Sequence, residues 1–257
     1  MPELSDVEGF KRYFNRHAAG RTIRRVEVVD PPMLRGGSVR GLAGERFDRA
    51  RRHGKWLLAP AGRATVLMHF GMSGLLRWSG GEPAPRHPHD RVVFDLAGGE
   101  LRFRDMRKFG GVWIARDAAA VDALVGPLGP DALEVDRERF AELLAGRRGS
   151  VKAALMDQTV IAGLGNLLVD EICWRARIAP ALPLRRLGAA RRDRLHACME
   201  AVLRESIPRG RIPGDPGWLT GARDERPGAC PRCGAALRRA TVAGRTTVWC
   251  GACQPGR

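Results

Sequence analysis

Apolar positions recur at helical spacing at the start of the chain. Val7, Phe10, Phe14 and His17 share one face, and Gly20 ends the pattern. Ser5 is placed to cap this helix, with Glu8 three residues on to complete a capping box. From about Thr22 to Ala115 the pattern changes to short apolar runs, such as residues 26–29, 56–59 and 65–70, separated by Gly and Pro clusters. A hairpin is expected where Val92, Phe94 and Leu96 meet Leu101 and Phe103 across Ala97-Gly98-Gly99-Glu100. Many short strands at this spacing predict a β-sandwich or barrel. After about Ala120 the helical period returns. Asp136 caps a helix through Phe140, Leu143 and Leu144 that Gly146 stops, and Ser150 starts a second carrying Lys152 and Leu155. The turn Ala162-Gly163-Leu164-Gly165-Asn166 leads into a helix over 167–176, with Asn166 as its cap, and a long helix follows over 187–206. Residues 208–228, rich in Pro, Gly and Arg, read as a linker before a small cysteine module. The expected class is α+β, with domains over 1–118 and 119–210, a linker over 211–228 and a terminal module over 229–257.

Composition narrows the function. Lys plus Arg total 44 against 28 Asp plus Glu, a formal charge of +16 and a pI near 11.1. Such a surface attracts polyanions, nucleic acid first, because neutralising phosphates releases condensed counterions; an arginine-biased genome is the competing explanation. Only Lys11, Lys55, Lys108 and Lys152 are lysines. Amid so much arginine, a lysine marks a place where a compact amine is wanted instead of a planar fork. No stretch approaches the apolar length of a membrane span, and no basic-then-apolar leader opens the sequence, so a cytoplasmic, nucleoid-associated protein with reduced thiols is expected.

Reduced thiols leave the six cysteines without disulfide partners. Cys230-x2-Cys233 and Cys250-x2-Cys253, sixteen residues apart, have the spacing of a four-cysteine zinc ribbon. Two knuckle turns face each other and complete a tetrahedron around one structural Zn²⁺, with no position open for catalysis. Residues 237–242 and 246–250 should form a hairpin across Ala243-Gly244. Its arginines, Arg238, Arg239 and Arg245, meet no acidic residue between 234 and 249. Cys173 and Cys198 fall on helices and read as packing residues.

Several segments, in order, carry a family resemblance: Met1-Pro2-Glu3-Leu4 with Val7 and Glu8; Gly54-Lys55-Trp56-Leu57-Leu58; His69-Phe70-Gly71-Met72-Ser73-Gly74; Asp105-Met106-Arg107-Lys108-Phe109-Gly110; Ala162-Gly163-Leu164-Gly165-Asn166 before Asp170-Glu171; and Gly244-Arg245-Thr246 in the finger. Together they resemble the formamidopyrimidine-DNA glycosylase/endonuclease VIII family. The resemblance implies an N-terminal helix on a two-layer β-sandwich, a helix-two-turn-helix domain and a zinc finger, with double-stranded DNA bound between domains and a monomeric enzyme. It also implies a bifunctional glycosylase/lyase that excises oxidised or ring-opened bases and cleaves abasic sites by β,δ-elimination.

Residue by residue, the resemblance makes Pro2 the nucleophile once Met1 is removed, Glu3 the acid that protonates the sugar ring oxygen, and Lys55 a catalytic-domain lysine near the lesion. Lys152 becomes a lysine on the helical side of the site. Met72, Arg107 and Phe109 become the set that fills the gap left by an extruded base, and Asn166 with Arg245 grips the flanking phosphates. Taken without the resemblance, Met72 and Phe109 are equally core residues, Glu3 a residue favoured by a helix dipole, Asn166 a helix cap and each lysine a solvated charge. Ser5 and Asp6 stand where the family usually has proline and glutamate. The 207–229 segment is shorter than the loop that closes over 8-oxoguanine in formamidopyrimidine-type enzymes. Two other readings remain open: a non-catalytic damaged-DNA-binding paralogue and a zinc-ribbon RNA-binding protein.

Overall fold

The computed structural model describes residues 2–81 and 85–256. The chain forms two compact units, one holding Pro2 and Asp6–Pro127, the other combining Glu3–Ser5 with the chain from Leu128 onward.

The expected N-terminal helix, α1 (Leu4–His17), forms, and Gly20 follows it with φ +80°. Val7 and Phe14 are buried, Phe14 edge-on to Phe47 at 5.0 Å. The expected capping box is absent. The helix has already begun at Leu4, so Ser5 lies inside it, fully buried, with its hydroxyl 2.6 Å from that of Ser206. Glu8 instead binds Lys11 and, at 2.9 Å, Arg52.

Among the described residues, nine strands build the rest of the first unit: β1 (Ile23–Val28), β2 (Leu34–Gly36), β3 (Arg51–His53), β4 (Trp56–Ala61), β5 (Ala64–His69), β6 (Leu75–Gly80), β7 (Asp90–Leu96), β8 (Gly99–Arg104) and β9 (Gly111–Ala115). They make two sheets, ordered β1-β7-β8-β6 and β2-β9-β5-β4-β3. Alternating residues of both sheets, including Val92, Phe94 and Phe103 from one and Leu57, Val66 and Met68 from the other, pack into one core with Phe14, Phe47 and Phe70. The expected hairpin has Val92 opposite Phe103 and Phe94 opposite Leu101. A short helix, α2 (Ala118–Val125), capped by Asp117, ends the unit.

The second unit is helical. Asp136 caps α3 (Arg137–Leu144) and Ser150 caps α4 (Val151–Met156), as their sequences predict. Helices α5 (Asn166–Arg175) and α6 (Ala189–Ser206) follow, and Leu155, Leu168, Ile172, Leu195, Met199 and Val202 meet in their shared core with Leu4. Each such side chain contributes about 1.5–3 kcal/mol when fully buried. Cys173 lies in this core and the partly buried Cys198 packs against it.

The segment read as a linker is packed. It contains a turn of helix, α7 (Leu219–Ala222). Trp218 joins the helical core, Leu219 packs with Trp174 and Val248, and Arg223 is buried. Trp218 and Leu219, with Ile212 packed against the helical core, anchor a stretch whose average composition hides them. The terminal hairpin pairs β10 (Leu237–Val242) with β11 (Arg245–Cys250) across Ala243 and Gly244. Both turn residues have positive φ, +51° and +69°, the two-residue geometry that suits the twist of paired strands. Among the described residues no helix is long and apolar enough to cross a membrane.

Candidate functional site

Helix α5 opens at Gly165, which has no side chain to satisfy the first N–H groups. Glu3 supplies the acceptors. One carboxylate oxygen takes the Leu167 N–H at 2.8 Å, the other takes that of Leu168 at 3.0 Å, and the Leu4 N–H donates to the Gly163 carbonyl at 3.1 Å. Glu3 is fully buried. A Cβ on Gly165 would sit 2.3 Å from the Glu3 carboxyl carbon, so the turn needs glycine for close approach. Asn166 is therefore not the cap expected for it; it is the first helical residue. Pro2, half-buried, immediately precedes this anchored glutamate. Met1 lies outside the described residues, as does its expected removal.

Two loops of the first unit carry the other expected set. Met72 is 39 % exposed and Phe109 is 58 % exposed, so neither is the core residue it resembles in isolation. Arg107 is exposed, with its guanidinium 5.1 Å from the Phe109 ring centre. Asp105, fully buried and without an assigned role from sequence, holds the loops together. It accepts from the Ser73 hydroxyl at 2.5 Å, from the Gly110 N–H at 2.8 Å and from the Arg107 N–H at 3.2 Å. Arg35 adds bonds to the Gly110 and Lys108 carbonyls, both at 2.8 Å. A Cβ on Gly71, where φ is +53°, would come within 2.3 Å of Phe109 and Gly110 backbone, which fixes how closely the loops approach.

Lys55 is half-buried in the two-residue turn between β3 and β4, where Gly54 has φ +55°. Its charge acts on His69. Burial first, and Lys55 second, push the His69 imidazole down to about 4. The ring is therefore neutral near pH 7, with Nδ1 accepting from the Gly71 N–H at 3.3 Å and the proton left on Nε2. His69 belongs to one of the motifs that carry the resemblance, yet its place in the sequence gives it no task.

In the second unit Lys152 departs from expectation. Its side chain is fully buried and bonded to Asp170 at 2.6 Å, not the solvated charge it reads as in isolation. Burial draws its pKa below the usual lysine range, opposed by Asp170. Asn166 donates Nδ2–H to the Thr246 carbonyl at 3.0 Å, and its buried Oδ1 has no partner among the described residues. Arg245, beside Thr246, is exposed at the hairpin turn.

Cys230, Cys233, Cys250 and Cys253 bring their sulfurs within 4.8 Å of one another. The pairs Cys233–Cys250 and Cys233–Cys253 stand 3.6 and 3.4 Å apart, near the edge of about 3.8 Å that a tetrahedron of Zn–S bonds of about 2.3 Å requires. The Trp174 indole N–H donates to the Cys230 sulfur at 3.4 Å. The donor set and its dimensions fit zinc.

Comparison with known proteins agrees across the chain. Residues 1–112 match the formamidopyrimidine-DNA glycosylase N-terminal domain, residues 128–213 its H2TH domain, and residues 229–256 the zinc finger found in FPG and IleRS. A formamidopyrimidine-DNA glycosylase of Symbiobacterium thermophilum is 38 % identical over 275 residues, covering 99 % of this chain and 90 % of its own. One from Acidothermus cellulolyticus is 37 % identical, covering 99 % and 98 %. The Lactococcus lactis formamidopyrimidine-DNA glycosylase, solved noncovalently bound to DNA containing an abasic site, superposes with a TM-score of 0.87 at 29 % identity, covering 99 % of this chain and all of that one. With its sandwich, helical unit and four-cysteine finger matched in order, the chain belongs to the formamidopyrimidine-DNA glycosylase family.

Proposed function

We propose that this protein is a DNA glycosylase of base excision repair, acting on damaged bases in duplex DNA through Pro2, with lyase activity at the resulting abasic site. The observation that carries the reading is the exposure of Met72, Arg107 and Phe109 on loops clamped by a buried aspartate. Solvent-facing, Met72 and the Arg107–Phe109 pair leave apolar surface open to a packing partner. A duplex with one nucleotide extruded offers one: apolar side chains fill the stacked gap, and a guanidinium hydrogen-bonds the orphaned base.

With Met1 removed, Pro2 ends in a secondary amine, and α-amino groups titrate near 7.7–8.0. A useful fraction is then unprotonated at neutral pH and able to attack the sugar C1′. The base leaves with the C1′–N bond electrons. Opening of the sugar then gives an iminium at C1′, which acidifies the neighbouring C2′ proton and permits β- and then δ-elimination of the two phosphates. Glu3, fixed against the α5 N-terminus one residue away, is the carboxyl group for proton transfer to the ring oxygen. Lys55 serves phosphate beside the lesion, and Asn166 and Arg245 grip flanking phosphates. The four cysteines hold one structural Zn²⁺; bound, it supplies the fold of the finger and no reacting group.

Borohydride reduction in the presence of abasic-site DNA is expected to trap a covalent complex that disappears in Pro2→Gly. An adduct that persists in Pro2→Gly would assign the nucleophile to a lysine, and no adduct with the unaltered protein would favour a binding-only role. The short, packed 207–229 segment supports weak recognition of 8-oxoguanine relative to oxidised pyrimidines and ring-opened purines. Equal excision of 8-oxoguanine and 5-hydroxyuracil from matched duplexes would refute that preference.

A further inference from the structure

The second unit contains a polar junction that the chemistry above does not use. Asp170, on α5, is 1 % exposed and accepts hydrogen bonds from three other segments. Lys152 on α4 donates at 2.6 Å, the Val248 N–H on β11 donates at 3.1 Å, and Arg223, just beyond α7, donates through Nη1. Arg223 also gives Nη2–H to the Thr246 carbonyl at 2.6 Å, the same oxygen that accepts from Asn166 at 3.0 Å. The Arg223 carbonyl in turn accepts from Arg239 on β10. Asn166 and Asp170 are four residues apart, so they lie on one face of α5. Through that face the hairpin turn carrying Arg245 and Thr246 is tied to the first turn of the helix.

Burying two cations and a carboxylate in this way is a poor route to stability. Desolvation cancels most of the attraction, and well-packed apolar residues do as well or better. What such a group does provide is register, because its hydrogen bonds are satisfied in one arrangement. Val248 and Thr246 sit on the strand that leaves the hairpin turn, so a slip there would carry Arg245 away from Asn166.

Resting on the DNA-binding reading above, we propose that Asp170 is a positioning residue that holds Asn166 and Arg245 in one register, so that they engage phosphate as a single clamp. Lys152 is the buried counter-charge of this junction and makes no contact with DNA.

The test is a double-mutant cycle with the full, zinc-loaded chain. Affinity is measured for a duplex containing a reduced, non-cleavable abasic site over a range of salt concentrations. Asp170→Asn is expected to weaken binding about ten-fold in the unaltered background and by less than about three-fold in Arg245→Ala, because the two act through one set of phosphates. The slope of log Kd against log salt should fall by about 0.9 for each phosphate that the clamp no longer neutralises, a change that general loosening of the fold does not produce. Zinc content and the unfolding midpoint are followed in parallel. Should Asp170→Asn lose its zinc, the paired replacement Lys152→Met with Asp170→Leu, which removes the buried ammonium with the carboxylate and leaves Arg223 its bond to the Thr246 carbonyl, carries the same cycle. Equal weakening in both backgrounds with an unchanged slope would overturn the proposal. Failure of the unaltered protein to bind this duplex would instead sink the glycosylase reading, and this inference with it.

Discussion

Two buried aspartates organise two parts of this molecule in different ways. Asp105 accepts from a hydroxyl and two backbone N–H groups within residues 73–110. Asp170 accepts from two cations and one backbone N–H drawn from residues 152–248. The first is a local clamp on two loops of the sandwich, and its donors are all neutral groups. The second joins four segments, and its partners more than balance its charge. A clamp of the first kind holds exposed side chains at fixed positions. A junction of the second kind sets how distant segments align, and removing one member strands the others.

The largest expected effect breaks this contrast where it is sharpest. Asp170→Ala leaves Lys152 and Arg223 buried without a counter-charge and should cost about 3–5 kcal/mol in urea unfolding. Removing one of the two stranded cations with Lys152→Met in an Asp170→Leu background should recover part of that stability while Arg223 keeps its cost, and a loss near 1 kcal/mol for Asp170→Ala would erase the distinction. The next effect is pH dependence in the first unit. His69 titrates at about 4 when folded and near 6.5 when unfolded, so between those values the unfolded chain holds the extra proton. Stability contributed there is lost as pH falls from about 6.5 to 4, on the order of 3 kcal/mol in total. His69→Asn, whose side-chain oxygen can accept from Gly71, should flatten that dependence in unfolding curves at pH 7 and 4.5; an unchanged slope would mean that His69 is not the group responsible.

Smaller effects sharpen the description of the Asp105 clamp. Asp105→Asn replaces one acceptor oxygen with a donor beside N–H groups, and about 1–3 kcal/mol of destabilisation is expected. Phe109→Ala should shift stability by no more than about 0.5 kcal/mol, because the ring is largely exposed, while excision from duplex DNA falls markedly. A large loss of stability in Phe109→Ala would instead place that ring in packing.

The local features are legible in the sequence because their signals are local. Asp136 and Ser150 cap helices, the Ala97-Gly98 and Ala243-Gly244 turns close hairpins, and two Cys-x2-Cys pairs draw together, each within a few residues of its own sequence cue. The tasks of Glu3, Asp105 and Asp170 as acceptors are not legible in the same way, since each serves donors whose nearness is created by folding. Ser5 and Glu8 have the right spacing for a capping box, but the backbone enters the helix two residues earlier and burial gives Ser5 a partner 201 positions away. The packing of the 208–228 segment is hidden because Trp218 and Leu219 are outnumbered by Pro, Gly and Arg. Lys152 illustrates the opposite failure: scarcity marks it as special, and it is, but as an internal charge.

The central claim concerns one atom, the nitrogen of Pro2. Borohydride-trapped complex with abasic DNA, digested with trypsin and nuclease and read by mass spectrometry, should yield the peptide from Pro2 to Lys11 bearing a reduced deoxyribose remnant on its terminal nitrogen. The same mass added at Lys55 or Lys152, or a mature chain that still begins with Met1, would contradict the account.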